Sequence, residues 1–176
     1  MAVAQFNLEA GQRAERKLLI TVAEWQEEST QVREILGTRT EDSSIEYNPD
    51  IETTTDILGI NYTDLNRTQP QQDFDPYLIL GGSKLGAKLD DIRRRNALSE
   101  LNQFTVYIIT AYVGSSSAGY RTEKHTGCSI IYNSLGGDSN VNFPISVYLS
   151  NNITNGTVDK LSDDFTFTAE SPSGTT

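Results

Sequence analysis

The chain has one histidine, His125, standing three residues before its one cysteine, Cys128, in the stretch TEKHTGC. A cysteine beside a histidine is the minimal arrangement for a thiolate nucleophile with a general base. The same two residues are half of a zinc site. Neither reading has the partners it needs, since no further histidine exists and no carboxylate stands at ligand spacing from both. Both residues fall in one expected strand, where an offset of three sends side chains to opposite faces unless a bulge intervenes. The paired carboxylates Asp90–Asp91, Asp73 with Asp75, and Asp163–Asp164 lack the aromatic subsite of a glycosidase and read as solvated surface. LILGGSKLG does not end in the Gly-Lys-Ser/Thr of a phosphate loop. These residues lead us to expect no catalytic residues, no metal, no cofactor and no enzymatic activity.

The basic cluster IRRRN, residues 92–96, is the remaining chemical feature. Arg93, Arg94 and Arg95 either lie on a solvated helix face, paired with Asp90, Asp91 and Glu100, or meet an acidic neighbour. Three consecutive arginines cannot all pair locally. In a chain of formal net charge −10 that neighbour could be a second copy of the same protein.

Positioning these residues requires a fold, and 176 residues with 36% hydrophobic and 22% charged content suit one domain with a real core. A lone cysteine forms no internal disulfide, which fits assembly in a reducing compartment such as a bacterial cytoplasm. The first twenty residues have no basic segment followed by an apolar run, so no signal peptide is expected, and no stretch approaches membrane-spanning length. The acidic balance should repel nucleic acid, whose binding requires clustered lysine and arginine.

Along the chain, Leu18–Val22 reads as a first strand and QVREILG as a weak one. Ile45 and Tyr47 alternate with polar residues up to Asn48–Pro49, and Ile51, Thr53, Thr55 and Ile57 continue the period of two as far as Gly59. Leu85, Leu89 and Ile92 mark a helix over about 83–97, capped by Ser83, with Gly86 lowering its propensity. FTVYIITAYV, residues 104–113, is apolar on both faces, so its second side should face the helix or another subunit. A strand with a bulge at Gly127 follows. Val141, Phe143, Ile145, Val147 and Leu149 then alternate, with Pro144 indicating an edge or a bulge. DDFTFTAE alternates once more, and residues 171–176 read as a loose tail. The expected architecture is mainly β, a β-sandwich or barrel-like pair of sheets with one flanking α-helix, occupying residues 1–170.

NRTQPQQDFDPYLI, residues 66–79, fits none of these patterns. It is too polar for a strand and wrongly spaced for a helix. It reads as a connection stiffened by Pro70 and Pro76 that reaches a neighbouring subunit at little ordering cost. With Tyr47, Asn48 and Pro49 it belongs to an assembly loop over about 40–76. Tyr47, Asn48, Pro49, Pro70, Gln71, Gln72, Asp75, Pro76, Arg93, Arg94 and Arg95 are the candidate subunit-interface residues. Deleting residues 66–75 should on this reading spare the fold.

From about residue 40 to about 160, SSIEYNPDIETTTDILGINYTDLNRTQPQQDFDPYLI, GGSKLGAKLDDIRRRNALSEL and EKHTGCSI together resemble the major tail tube proteins of long-tailed bacteriophages and prophages, especially those of Gram-positive hosts. The resemblance implies a structural virion protein that forms hexameric rings, stacked into the conduit through which DNA is ejected. It implies a β-sandwich with a flanking helix, sheets joined across subunits into an inner barrel, and loops and arms that bridge rings. The implied partners are further copies of the chain, the tape measure, terminator and distal tail proteins, and viral DNA that passes without specific binding, with no membrane involved. The implied location is the virion tail, with assembly in the host cytoplasm. The alternatives are another tail or injection-machine subunit, such as a terminator or a contractile-tail tube, and a carbohydrate-binding β-sandwich module. The last has little aromatic support, since Trp25 is not clustered with other aromatic residues in the sequence.

Overall fold

The computed structural model describes residues 5–171. The expected tail at 171–176 lies almost wholly outside them. The elements in chain order are β1 (Leu19–Glu27), β2 (Thr30–Ile35), β3 (Ile45–Glu46), β4 (Asp50–Thr55), β5 (Asn61–Arg67), β6 (Gln71–Phe74), α1 (Lys84–Arg95), β7 (Phe104–Ser115), β8 (Gly119–Tyr132), β9 (Ile145–Tyr148), β10 (Ile153–Val158) and β11 (Phe167–Ala169). Among the described residues all strand pairs are antiparallel, and the fold is mainly β with one α-helix, as the sequence indicates.

Strand β8 joins the two halves of the structure. Its first half pairs with β7 on one side and β10 on the other, while Ser129–Tyr132 pairs with β9. The strand changes partners at Gly127. Phe104 faces Cys128 and Thr105 faces Thr126, which leaves Gly127 unpaired in the expected bulge. Its φ of 76° lies where a residue with a Cβ is disfavoured. One sheet therefore runs β2-β1-β7-β8-β10-β11, and the second runs from the end of β8 through β9 and β6 to β3.

The main core lies between the sheets and under the helix. Ala23, Trp25, Phe74, Leu85, Leu89, Ile92, Phe104, Val106, Ile108, Ile130, Phe143, Ile145 and Val147 belong to it. Strand β7 is apolar on both faces because it separates two cores. Phe104, Val106 and Ile108 enter the main core, while Tyr107 and Ile109 join Val22, Val158 and Phe165 in a second one. Tyr107 and Ile109 on the second side of β7 are thus covered by the chain's own β1, β10 and the segment between β10 and β11, rather than by the helix. Arg33 fastens that segment: it pairs with the buried Glu24, donates to the Phe165 carbonyl at 2.6 Å, and sits 4.3 Å over the Phe165 ring. The Tyr107 hydroxyl also donates to Glu24, and its pKa is pushed up to about 12, chiefly by burial.

Helix α1 starts where expected, with the Ser83 hydroxyl accepting from the Gly86 amide at 3.2 Å. The Glu34 carboxylate on β2 also accepts the Lys84 and Leu85 amides, along with the Tyr77 and Ser83 hydroxyls. An anion at the positive end of the helix satisfies two orphan amides and favours the dipole. The helix stops at Asn96, in the left-handed conformation with φ 54°, and a separate 3₁₀ turn follows over Leu98–Asn102.

The structure corrects three readings. Residues 66–79 are not a free connection, because Asn66 and Arg67 end β5, and Gln71–Phe74 is a strand between β9 and β3. Phe74 is 1% exposed in the main core. The polar Gln72 can be buried because both ends of its amide are satisfied, by the Thr21 hydroxyl at 2.7 Å and by Ser43 Oγ at 3.1 Å. Pro144 does not mark an edge: it precedes β9, which lies between β8 and β6, so its missing donor costs no ladder bond. The period of two expected through Ile57 stops at Thr55, the end of β4, whose residues are all exposed, and Ile57 lies in the turn that follows.

Two consequences are measurable. Deleting residues 66–75 should abolish cooperative thermal unfolding, and Phe74→Ala should cost about 3–5 kcal/mol in urea titration. Gly86→Ala should destabilise the protein by about 1 kcal/mol despite alanine's better helix propensity. The new Cβ would stand 2.9 Å from Ser83 Oγ and 3.3 Å from Ile79 Cδ1, displacing the cap.

Candidate assembly surface

Strands β4 and β5 form a two-stranded ribbon that joins neither sheet. β-branched residues favour it, and Thr53 opposite Thr63 and Ile51 opposite Leu65 form cross-strand pairs on one face. The turn is held by Asp56. Its Oδ1 accepts the Leu58 and Ile60 amides, both at 2.9 Å, and its Oδ2 accepts the Tyr62 hydroxyl at 3.2 Å. Those donors, the Ile60 amide foremost, hold the Asp56 carboxyl below the usual aspartate range. The ordered turn presents apolar side chains to solvent. Ile57 is 101% exposed and Leu58 79%, and Ile51, Ile60, Tyr62 and Leu65 are each at least half exposed. A ribbon of two strands is marginal alone, and an apolar patch of this kind on a folded domain marks a contact surface.

The candidate residues divide between the root of this ribbon, the interior and the helix. Tyr47, Asn48 and Pro49 are exposed at the root, where Asn48 donates from its side chain to the Gln69 carbonyl. Pro70 and Gln72 are buried within the subunit, so they offer no surface to a neighbour. Gln71 is half-buried and donates to Asp73 at 2.9 Å, Asp75 accepts from Asn142 at 3.0 Å, and the Pro76 carbonyl accepts from Thr40 at 2.9 Å. The ribbon at 50–67 lies inside the expected assembly loop at 40–76, but it is this ribbon, rather than the connection at 66–79, that stands apart from both sheets. Its apolar turn at Ile57, Leu58 and Ile60 was missed, although Asp56 and Gly59 around it are turn residues.

Two of the three arginines pair within the helix region. Arg93 binds Asp90 at 2.7 Å, and Arg95 binds Asp91 at 2.6 Å and Glu100 at 2.8 Å. Lys88 also reaches Glu100, at 2.7 Å. Arg94 is exposed and, among the described residues, lies within 4 Å of no carboxylate.

The Cys128 and His125 pair resolves as structural. Because Gly127 is a bulge, the two residues stand on the same face, opposite Phe104 and Val106, rather than on opposite ones. The thiol nevertheless contacts backbone, the His125 carbonyl and the Ser150 amide, each at 3.4 Å. Burial pushes its pKa up, away from the reactive thiolate. His125 Nδ1 bonds the Ser150 carbonyl at 2.8 Å, and Nε2 faces Glu123 at 3.6 Å. Among the described residues no group of three or more His, Cys, Asp or Glu side chains could hold a metal, and no helix is long and apolar enough to cross a membrane. Trp25 is 4% exposed and packs edge-on against Phe104, which removes it as a stacking platform for a sugar.

No protein-family model matches the chain, and no curated protein matches it. Among solved structures, it is similar to a chain of the anti-feeding prophage baseplate, at 11% identity and a TM-score of 0.42, over 80% of this chain and 94% of that one. It is also similar to a chain of the sheath–tube complex of an extracellular contractile injection system in its extended state, at 11% identity and a TM-score of 0.43, over 78% and 88% of the two chains.

The Arg95–Glu100–Lys88 cluster predicts a pH dependence. Hydrogen bonds from Arg95, then Lys88, lower the Glu100 carboxyl from 4.5 to about 2. A carboxylate depressed in the folded state stabilises fully above its unfolded value and loses that contribution as pH falls through its folded value. Glu100→Gln should therefore cost about 1 kcal/mol at neutral pH. The gap between wild type and variant, followed by denaturant titration, should close between about pH 4.5 and 2.

Proposed function

We propose that this chain is a structural subunit of a phage-type tail tube, whose hexameric rings stack into the conduit for DNA ejection. The observation that carries the reading is the ordered, apolar ribbon at 50–67, which the subunit's own sheets leave uncovered. It lies within the segment whose sequence resembles tail tube proteins of long-tailed phages. Burying an isoleucine or leucine is worth about 1.5–3 kcal/mol, so the turn residues alone represent a substantial drive to associate. The partners on this reading are other copies of the chain, then the terminator, tape measure and distal tail proteins, in the virion tail. The net charge of −10 suits a wall past which DNA slides, since a basic lumen would hold a duplex carrying a charge every 1.7 Å or so through many contacts. A terminator or a contractile-tail tube subunit is the alternative within the same class. A terminator would cap a tube and not extend it.

Electron microscopy of concentrated protein, with tail initiator supplied, should show rings and tubes of uniform width. Ile57→Asp with Leu58→Asp should block them while changing unfolding free energy by less than about 0.5 kcal/mol, as expected of fully exposed sites. Wild-type protein that stays monomeric at every concentration, or a double variant that builds normal tubes, would contradict the reading. Arg94→Glu should also impair assembly with little loss of stability. Arg95→Glu should lower stability itself, because Arg95 is held by Asp91 and Glu100.

A further inference from the structure

Resting on that reading, we infer that the ribbon of one copy seats in a specific groove of the next, the open cleft of about 380 Å³ beside the ribbon's own root. Leu19, Ile108, Tyr112 and Val113 give this groove an apolar wall, and Arg16 and Arg121 line it as well. Among the described residues Glu123 is its only carboxylate, and that side chain faces His125 at 3.6 Å and also feels the charge of Arg121.

Charge selects the occupant. The ribbon carries Asp50, Glu52, Asp56 and Asp64 against one base, Arg67, which pairs with Asp50 at 3.6 Å. Glu52 and Asp64 stand directly opposite each other in the ladder, and neither has an ion-pair partner among the described residues. Like charges directly across a strand pair are unfavourable, so a cation supplied from outside relieves them. Arg121 is an exposed cation within 4 Å of no carboxylate among the described residues, and it lies in the groove. A partner with an apolar tip and an unpaired acidic face fits an apolar cleft whose exposed arginine forms no close ion pair, and this chain supplies both halves.

The occupant is the neighbour's ribbon, not the copy's own. Within one subunit neither Glu52 nor Asp64 lies within 4 Å of the Arg121 guanidinium, and the turn at Ile57 lies a strand of six residues from the root beside Tyr47, about 20 Å at strand rise. The contact is therefore head-to-tail, the kind that closes into rings or propagates as a helical stack.

Charge exchange tests the seat. The concentration at which half the protein sediments as assembly is measured for wild type, for Arg121→Glu, for Glu52→Lys with Asp64→Lys, and for the triple variant. Arg121→Glu and the double lysine variant should each need at least tenfold more protein, and the triple variant should return to within threefold of wild type. Arg121→Gln, with an intermediate shift, serves if the glutamate variant does not melt cooperatively. Assembly of Arg121→Glu at the wild-type concentration would overturn the seat while leaving the tube reading intact. A triple variant that fails to recover would show that these charges do not meet. Wild type that never assembles would overturn both.

Discussion

Strand β8 pairs with β10 as far as His125 and with β7 as far as Cys128, then with β9 from Ser129, and this change of partner around Gly127 joins the two sheets between which the main core lies. A bulge bends its strand and increases the local twist, which lets one strand pass from one sheet into another. The unpaired glycine, in a backbone region closed to most residues, gives the kink that lets the chain leave one sheet and enter the next. The space enclosed between the two holds the main core, and the helix covers its open side through Leu85, Leu89 and Ile92. The second core follows from the same arrangement. With the main core on one face of β7, Tyr107 and Ile109 must be covered from behind, and the segment carrying Phe165 does so.

Once both faces of the central strands are covered by the chain itself, the ribbon β4–β5 has no interior left to enter. Its residues are exposed throughout, yet its turn is ordered by three hydrogen bonds to one aspartate. Order without burial reduces the entropy lost when a partner docks. A preformed apolar turn on a charged ribbon is thus a contact element poised in the free subunit, and it places the proposed assembly chemistry on backbone geometry and surface charge, not on any reactive side chain.

Much of this was legible in the sequence where hydrophobic period and local geometry agree. The helix and its Ser83 cap, the bulge at Gly127 and the two-faced strand at 104–113 all follow from patterns that a single element fixes by itself. Strand β6 was not legible, because its burial depends on Gln72 finding Thr21 and Ser43, residues 51 and 29 positions away. A polar segment buried by long-range hydrogen bonds carries no apolar pattern. The ribbon was half legible: its alternation at Ile51, Thr53 and Thr55 is real, but alternation does not tell a sheet face from a projecting strand. A Cβ at Gly86 would stand 2.9 Å from Ser83 Oγ, a contact that no helix pattern reveals.

Amide hydrogen exchange on free and concentrated protein tests the central claim most directly, since it reports on the ribbon and the cores together. The account predicts that amides at 51–65 exchange fast in the free subunit and become strongly protected on assembly, while those of β7 and β8 are protected in both states. Assemblies in which 51–65 exchange as fast as in the free subunit would contradict it.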